Sequence, residues 1–192
     1  MNIPEFIIYT GPMFGSKTTR LLASVDRYRY QNRKIIAFKS SIDERYSETE
    51  ICTHNGGKIS ATVVKSGTDI LNEIKKVEEE SSEVIDVVAV DEAFMIEGVS
   101  LALLELFRKG KTIVVSSLQI SATGNVFEEV RDMMPWATKI QVCPAVCTVS
   151  GLDAFYTHRK FNNMHEITVG GSDLYEPRCW FHHGFMNQAD GE

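Results

Sequence analysis

The run Gly11-Pro12-Met13-Phe14-Gly15-Ser16-Lys17-Thr18 places a glycine-rich turn directly before a lysine and a threonine. In such a turn, at the start of a helix, backbone N–H groups attract an anion. The lysine adds a point charge for β and γ phosphates, and the threonine hydroxyl holds Mg²⁺. The general phosphate-loop pattern has glycine immediately before the lysine. Here Ser16 takes that position and glycine stands one place earlier, at Gly15. A Cβ at Ser16 is expected to strain the loop and lower nucleotide affinity. A second chemical pair, Asp91-Glu92, ends the nearly all-apolar run at residues 84–90. Acids at such a strand end hold Mg²⁺ or its waters. A chance glycine turn and a solvated acidic turn are the competing readings. The joint occurrence of strand, loop, Lys-Thr pair and acidic strand end weighs against both.

The four cysteines are Cys52, Cys143, Cys147 and Cys179. They stand in a chain that opens without a basic signal-peptide start, which favours metal binding or thiols over disulfides. The default location is then the cytoplasm. Net charge is −6, which argues against a nucleic-acid partner bound through phosphate neutralisation. No apolar run approaches the roughly 18 residues of a membrane span, so no membrane partner is expected.

The elements that must position these groups follow from periodicity. Residues 6–9 read as a buried strand, and residues 17–30 as a helix with Leu21, Leu22 and Val25 on one face. Strands are expected at 34–39, 84–90 and 111–118, and helices at 68–80 and 99–107. Asn55-Gly56-Gly57 signals a hairpin into the alternating segment 58–64. This alternation predicts an α/β fold, a doubly wound, mostly parallel sheet of P-loop NTPase type, with ligands at the carboxyl ends of the strands. After residue 142 the regular alternation stops, and cysteines, histidines, aromatics and Gly170-Gly171 accumulate. Three regions are therefore expected: a P-loop nucleotide-binding domain at 1–142, a small lobe at 143–186 and a tail at 187–192.

The chain resembles the thymidine kinase family of the cytosolic, zinc-containing type, whose phosphate loop reads Gly-Pro-Met-Phe-x-x-Lys-Ser/Thr. The match continues through Asp43-Glu44-Arg45-Tyr46, Cys52-Thr53-His54, Asp91-Glu92-Ala93, Tyr156-Thr157-His158-Arg159 and Val169-Gly170-Gly171-Ser172-Asp173-Leu174-Tyr175. These segments keep the family's order and spacing from about residue 5 to residue 183.

The resemblance implies that Glu92 is the general base for a nucleoside 5′-hydroxyl. It also implies that Asp43 faces the phosphates and metal and that Arg45 offsets transition-state charge, although an ordinary surface ion pair is the local alternative for these two. His54 is assigned no catalytic role. The base is expected to be held by backbone groups of residues 168–175, including Val169 and Gly171, with Tyr175 closing over sugar and base and Thr157 facing the 5-substituent. Met95, Leu118, Ala122 and Phe127 complete the implied nucleoside site. A glycine hairpin with a packed tyrosine is the competing reading of residues 168–175.

Two departures bear on specificity. After Asp91-Glu92-Ala93 the family usually has Gln-Phe, where this chain has Phe94-Met95. After the fourth core strand it usually has Leu-Asp-x-x-Phe-Arg/Gln, where this chain reads Leu118-Gln119-Ile120-Ser121-Ala122-Thr123. An altered base pocket is therefore expected.

The family fixes its small lobe with zinc between two Cys-x-x-Cys or Cys-x-x-His pairs. Cys147, Cys179 and His182 stand at matching places, and Ser150 replaces the second cysteine. Cys143 or His183 would supply a fourth ligand. A metal-free lobe packed by Trp180, Phe181 and Phe185 is the alternative.

The resemblance thus implies an ATP-dependent deoxynucleoside kinase with Mg²⁺ and structural Zn²⁺, acting on thymidine or a related pyrimidine deoxynucleoside as a homotetramer. Its rivals are a nucleotide- or nucleoside-binding protein with impaired chemistry on the same scaffold, and a zinc-stabilised interaction module with a vestigial loop.

Overall fold

The structure is a computed structural model that describes residues 3–43, 49–53, 56–161 and 170–187. Arg45, His54 and Val169 lie outside these described residues. In chain order the first elements are β1 (Phe6–Thr10), α1 (Lys17–Tyr30), β2 (Ile35–Ser40), β3 (Glu50–Cys52), β4 (Lys58–Ser60) and β5 (Thr62–Val64). Next come α2 (Gly67–Ser81), β6 (Val87–Asp91), α3 (Val99–Arg108), β7 (Thr112–Ser117), α4 (Glu128–Met133) and β8 (Lys139–Val142). The last are β9 (Ala145–Val146), β10 (Asp153–Ala154), β11 (Tyr156–Arg159) and β12 (Tyr175–Arg178).

The main sheet has the order β5-β2-β6-β7-β1-β8, and every pairing in it is parallel. Every residue of β1, β6 and β7 is buried, as a strand covered on both faces requires. Alternate residues serve opposite faces. Ile7 and Tyr9 pack with Leu21, Leu22, Val25 and Tyr28 of α1. Phe6 and Ile8 join the other layer, with Ile70 and Ile74 of α2, Leu103 and Leu106 of α3, and Met133 of α4. Helices on both faces make the sheet doubly wound, so the carboxyl ends of β1, β2 and β6 open on one edge of the sandwich.

Two segments differ from their sequence pattern. The hairpin forms, with β3 and β4 antiparallel and the Thr53 N–H donating to Gly57 O at 2.8 Å. Residues 58–64 nevertheless split, because β5 leaves the hairpin and pairs in parallel with β2 at the sheet edge. The strand expected from residue 84 begins at Val87: Ile85 N–H is drawn instead to the Glu78 carboxylate at 2.8 Å, and Val84 is exposed.

Beyond β8, the pairs β9/β10 and β11/β12 are antiparallel two-stranded sheets. Cys143 prolongs β8 against β1, its N–H donating to Thr10 O at 2.7 Å. Among the described residues, no helix is long and apolar enough to cross a membrane.

Candidate active site

β1 runs straight into the phosphate loop and α1 begins at Lys17, so the turn lies between a strand end and a helix N-terminus. The position of its glycines has a steric cause. A Cβ built on Gly11 or Gly15 would run into the carbonyl oxygen of Cys143. Gly11 also has φ +137°, in the region that favours glycine. Ser16 faces no such wall: it is exposed, and what it bears is conformational, with φ 58° and ψ 26°. Phe14, at φ 66°, is left-handed as well. Two non-glycine residues in this region cost about 1–3 kcal/mol each, which agrees with the strain expected from the transposed order.

Lys17 is only 7% exposed and its Nζ donates to Pro12 O at 2.7 Å, so the loop's own carbonyl aims the ammonium. Thr18 Oγ1 donates to both Asp91 carboxylate oxygens, at 3.2 and 3.3 Å. Ser116 Oγ, on the neighbouring strand β7, donates to Asp91 Oδ1. Burial, followed by the charge of Glu92 and, less, of Asp43, pushes the Asp91 carboxyl up to about 7, against the lowering effects of Ser116 and Lys17. A cation beside Thr18 and Asp91 would relieve this accumulation of negative charge, so these residues fit Mg²⁺. Glu92 follows β6 with φ 50° and ψ 45°, a left-handed turn that separates its side chain from the strand's alternation.

A cleft open to solvent joins these groups. Met13, Phe14, Gly15, Ser16, Lys17 and Thr18 of the loop line it together with Asp43, Asp91, Glu92 and Gly171. Sequence reasoning missed Lys39, Thr19 and the β3 side of the cleft, formed by Glu50, Ile51, Cys52 and Thr53. Lys39 had a readable signal: it stands near the carboxyl end of a core strand, in register with Asp91.

Of the described residues expected to surround the base, Gly171 lines the cleft, and Met95, Leu118, Ala122, Phe127, Thr157 and Tyr175 do not. Met95 is in the short turn after Glu92, where its carbonyl accepts from Ser40 Oγ at 3.3 Å. Phe127 packs on Phe94 with ring centroids 4.5 Å apart. Leu118 and Ala122 belong to the connection after β7, a tight turn in which the Ser121 hydroxyl accepts from the N–H groups of Thr123 and Asn125 at 3.3 and 3.1 Å. Thr157 is buried, and its Oγ1 accepts from the Met13 N–H at 3.0 Å. Tyr175 is buried opposite Arg159, whose guanidinium lies 5.7 Å from its ring centroid. Tyr175 N–H donates to Gly171 O at 3.0 Å, which ties β12 to the cleft-lining Gly171.

Beyond β8, Cys147 Sγ, Cys179 Sγ and one ring nitrogen of His182 lie within 4.8 Å of one another. Two thiols and an imidazole suit a borderline-soft divalent ion such as zinc. Burial would raise the Cys147 thiol. The Ser150 hydroxyl and the N–H groups of Cys179, Ser150 and Val149 outweigh it and hold the thiol down to about 5, the form a metal needs. The proposed fourth ligands lie elsewhere. Cys143 is a core residue beside Ile7, Tyr9 and Leu21, where burial raises its thiol despite Arg20 and Lys17. His183 is buried with Nε2 2.9 Å from Thr157 O. Neither belongs to the cluster.

A parallel, doubly wound sheet with a phosphate loop after one strand and paired acids after another defines a P-loop nucleotide-binding protein. The thymidine kinase family model matches residues 5–183. Thymidine kinase from Thermococcus kodakarensis is 36% identical over 183 residues, covering 92% of each chain. That from Pyrobaculum aerophilum is 33% identical over 183 residues, covering 92% of this chain and 97% of the relative. Among solved structures, the genome packaging NTPase B204 of Sulfolobus turreted icosahedral virus 2, in complex with ATP-gammaS, overlaps with TM-score 0.47 at 13% identity and 77% coverage of each chain. The chain belongs to the thymidine kinase family and is a deoxynucleoside kinase.

Proposed function

We propose that the chain transfers the γ-phosphate of ATP to the 5′-hydroxyl of thymidine or of a 5-substituted pyrimidine deoxynucleoside. The observation that carries this reading is the convergence of Lys17, Thr18, Asp91 and Glu92 on one cleft. Loop N–H groups and Lys17 hold the phosphates. Thr18 and Asp91 are the residues that would hold Mg²⁺, which neutralises charge on the β and γ phosphates. The Glu92 carboxylate takes the proton of the 5′-hydroxyl as that oxygen bonds to the γ phosphorus. The bond from the γ phosphorus to the bridging oxygen breaks, and ADP leaves. Arg45 and Asp43, placed by the family motif, complete the charge balance. The base rests against residues 168–175, Met95, Leu118, Ala122 and Phe127, with Tyr175 closing over sugar and base and Thr157 facing the 5-substituent.

Family membership favours a catalyst over the binding-protein and interaction-module rivals. Cys147, Cys179 and His182 are assigned a structural zinc in a lobe at 143–186, attached to a nucleotide-binding domain at 1–142. A homotetramer is the assembly proposed, as the family resemblance implies, and the cytoplasm the location. The deciding experiment is ATP turnover across a panel of nucleosides with and without Mg²⁺. Phosphate transfer confined to pyrimidine deoxynucleosides supports the reading, and transfer to purines alone rejects it.

A further inference from the structure

We propose that the Ser150 hydroxyl is the fourth donor of the Cys147, Cys179 and His182 cluster, giving a site of two sulfurs, one nitrogen and one oxygen whose oxygen corner exchanges with solvent. This rests on the cluster being a metal site and is independent of the nucleoside assignment.

A tight turn carries Ser150. Cys147 N–H donates to Leu152 O at 2.8 Å, and Gly151 N–H returns to Cys147 O at 2.9 Å. Gly151 adopts φ +73°, which closes the turn tightly and leaves its preceding residue directed back at the sulfurs. Ser150 Oγ lies 3.5 Å from Cys179 Sγ and is also a hydrogen-bond partner of Cys147. One oxygen touching both sulfurs is what a corner of a tetrahedron does.

The distances fit coordination. Metal–sulfur bonds of about 2.3 Å and metal–nitrogen or metal–oxygen bonds of about 2.0–2.1 Å, at a tetrahedral angle, place a sulfur roughly 3.5 Å from a neighbouring nitrogen or oxygen. The Ser150–Cys179 separation of 3.5 Å equals that edge, and the two sulfur-to-His182 Nδ1 separations, 3.1 and 3.8 Å, bracket it. The rival donors lie outside the cluster: Cys143 in the core behind the phosphate loop, and His183 with Nε2 at Thr157 O.

The chemistry of the fourth corner differs from that of a cysteine. Two thiolates and a neutral imidazole balance a divalent cation, and a neutral hydroxyl adds no charge and donates weakly. Ser150 is exposed, so water or an added thiol reaches this corner from solvent.

The test uses the full chain loaded with cobalt or zinc. Ser150→Cys is expected to raise the thiolate-to-cobalt absorption about 1.5-fold, as two sulfur ligands become three, and to slow zinc loss to a chelator at least tenfold. Ser150→Ala is expected to change the cobalt ligand-field bands and speed zinc loss several-fold, while Cys143→Ser leaves both unchanged. Wild-type spectra and release rates in both Ser150 variants would overturn the proposal, as would a spectral change on Cys143→Ser. If the wild-type chain binds neither cobalt nor zinc, the metal reading of the cluster itself falls, whatever its phosphoryl-transfer activity.

Discussion

Thr157 Oγ1 accepts a hydrogen bond from the Met13 N–H at 3.0 Å across 144 positions of sequence, fastening β11 to the phosphate loop. The same residue's carbonyl lies 2.9 Å from His183 Nε2, next to His182 of the Cys147, Cys179 and His182 group. Thr157→Val keeps shape but removes the acceptor, leaving a partly buried N–H unsatisfied at a cost of about 1–3 kcal/mol. Lower denaturation midpoints together with a raised KM for ATP are expected. A stability loss with unchanged ATP kinetics would show that the fastening does not reach the phosphate site.

Glu92→Gln is expected to preserve folding and ATP binding while lowering kcat by roughly 10²-fold or more, since the amide cannot take the 5′-hydroxyl proton. Lys17→Ala removes charge from ground and transition states alike, so ATP affinity and turnover should fall together. Unchanged turnover in the first variant, or retained ATP affinity in the second, rejects the corresponding role.

Asp91 predicts an unusual pH dependence for the ligand-free protein. Its carboxyl is raised from 3.8 to about 7, chiefly by burial and then by Glu92. Between these values the unfolded chain has released the proton while the folded chain still holds it. The Asp91 contribution to stability therefore falls as pH rises through this window and is flat above it. Denaturation across pH 4.5–8 should show this slope reduced in Asp91→Asn. Parallel curves for the two proteins would contradict it.

Ser16→Gly tests the transposed loop. Relief of a left-handed serine is worth about 1–2 kcal/mol, offset by about 0.5–1 kcal/mol of added unfolded-state entropy. A small net stabilisation and tighter ATP binding are expected from calorimetry. Weaker ATP binding would mean that the serine hydroxyl itself serves the phosphate. The corresponding change at Gly15 is predicted to be severe, because a Cβ there meets the Cys143 carbonyl.

Pyrimidine deoxynucleosides with a larger or more polar 5-substituent should be used at least as well as thymidine. Met95 is adaptable and Ala122 carries no ring. Size discrimination in an apolar pocket is worth only about 1–3 kcal/mol, so a modest change reverses a preference. Relative kcat/KM for thymidine, deoxyuridine and 5-hydroxymethyldeoxyuridine measures this. A preference for thymidine of about tenfold or more over both others would reject it.

The sequence alone determined the local and periodic features. Leu21, Leu22 and Val25 recur at helical spacing, and α1 occupies residues 17–30 as that pattern requires. The apolar runs became buried parallel strands, and Lys17, Thr18, Asp91 and Glu92 were legible because loop and acids each end such a strand. Tertiary structure decided what depends on partners distant in the chain. Gly15 rather than residue 16 must lack a Cβ because Cys143, over a hundred positions away, brings a carbonyl against it. Cys143 serves that wall and not the Cys147, Cys179 and His182 group because β8 pairs with β1, an assignment that no cysteine spacing encodes. The splitting of residues 58–64 between hairpin and main sheet likewise depended on which edge β2 left open. Periodicity reports which side of an element is buried, and only the packing of remote strands specifies what it is buried against.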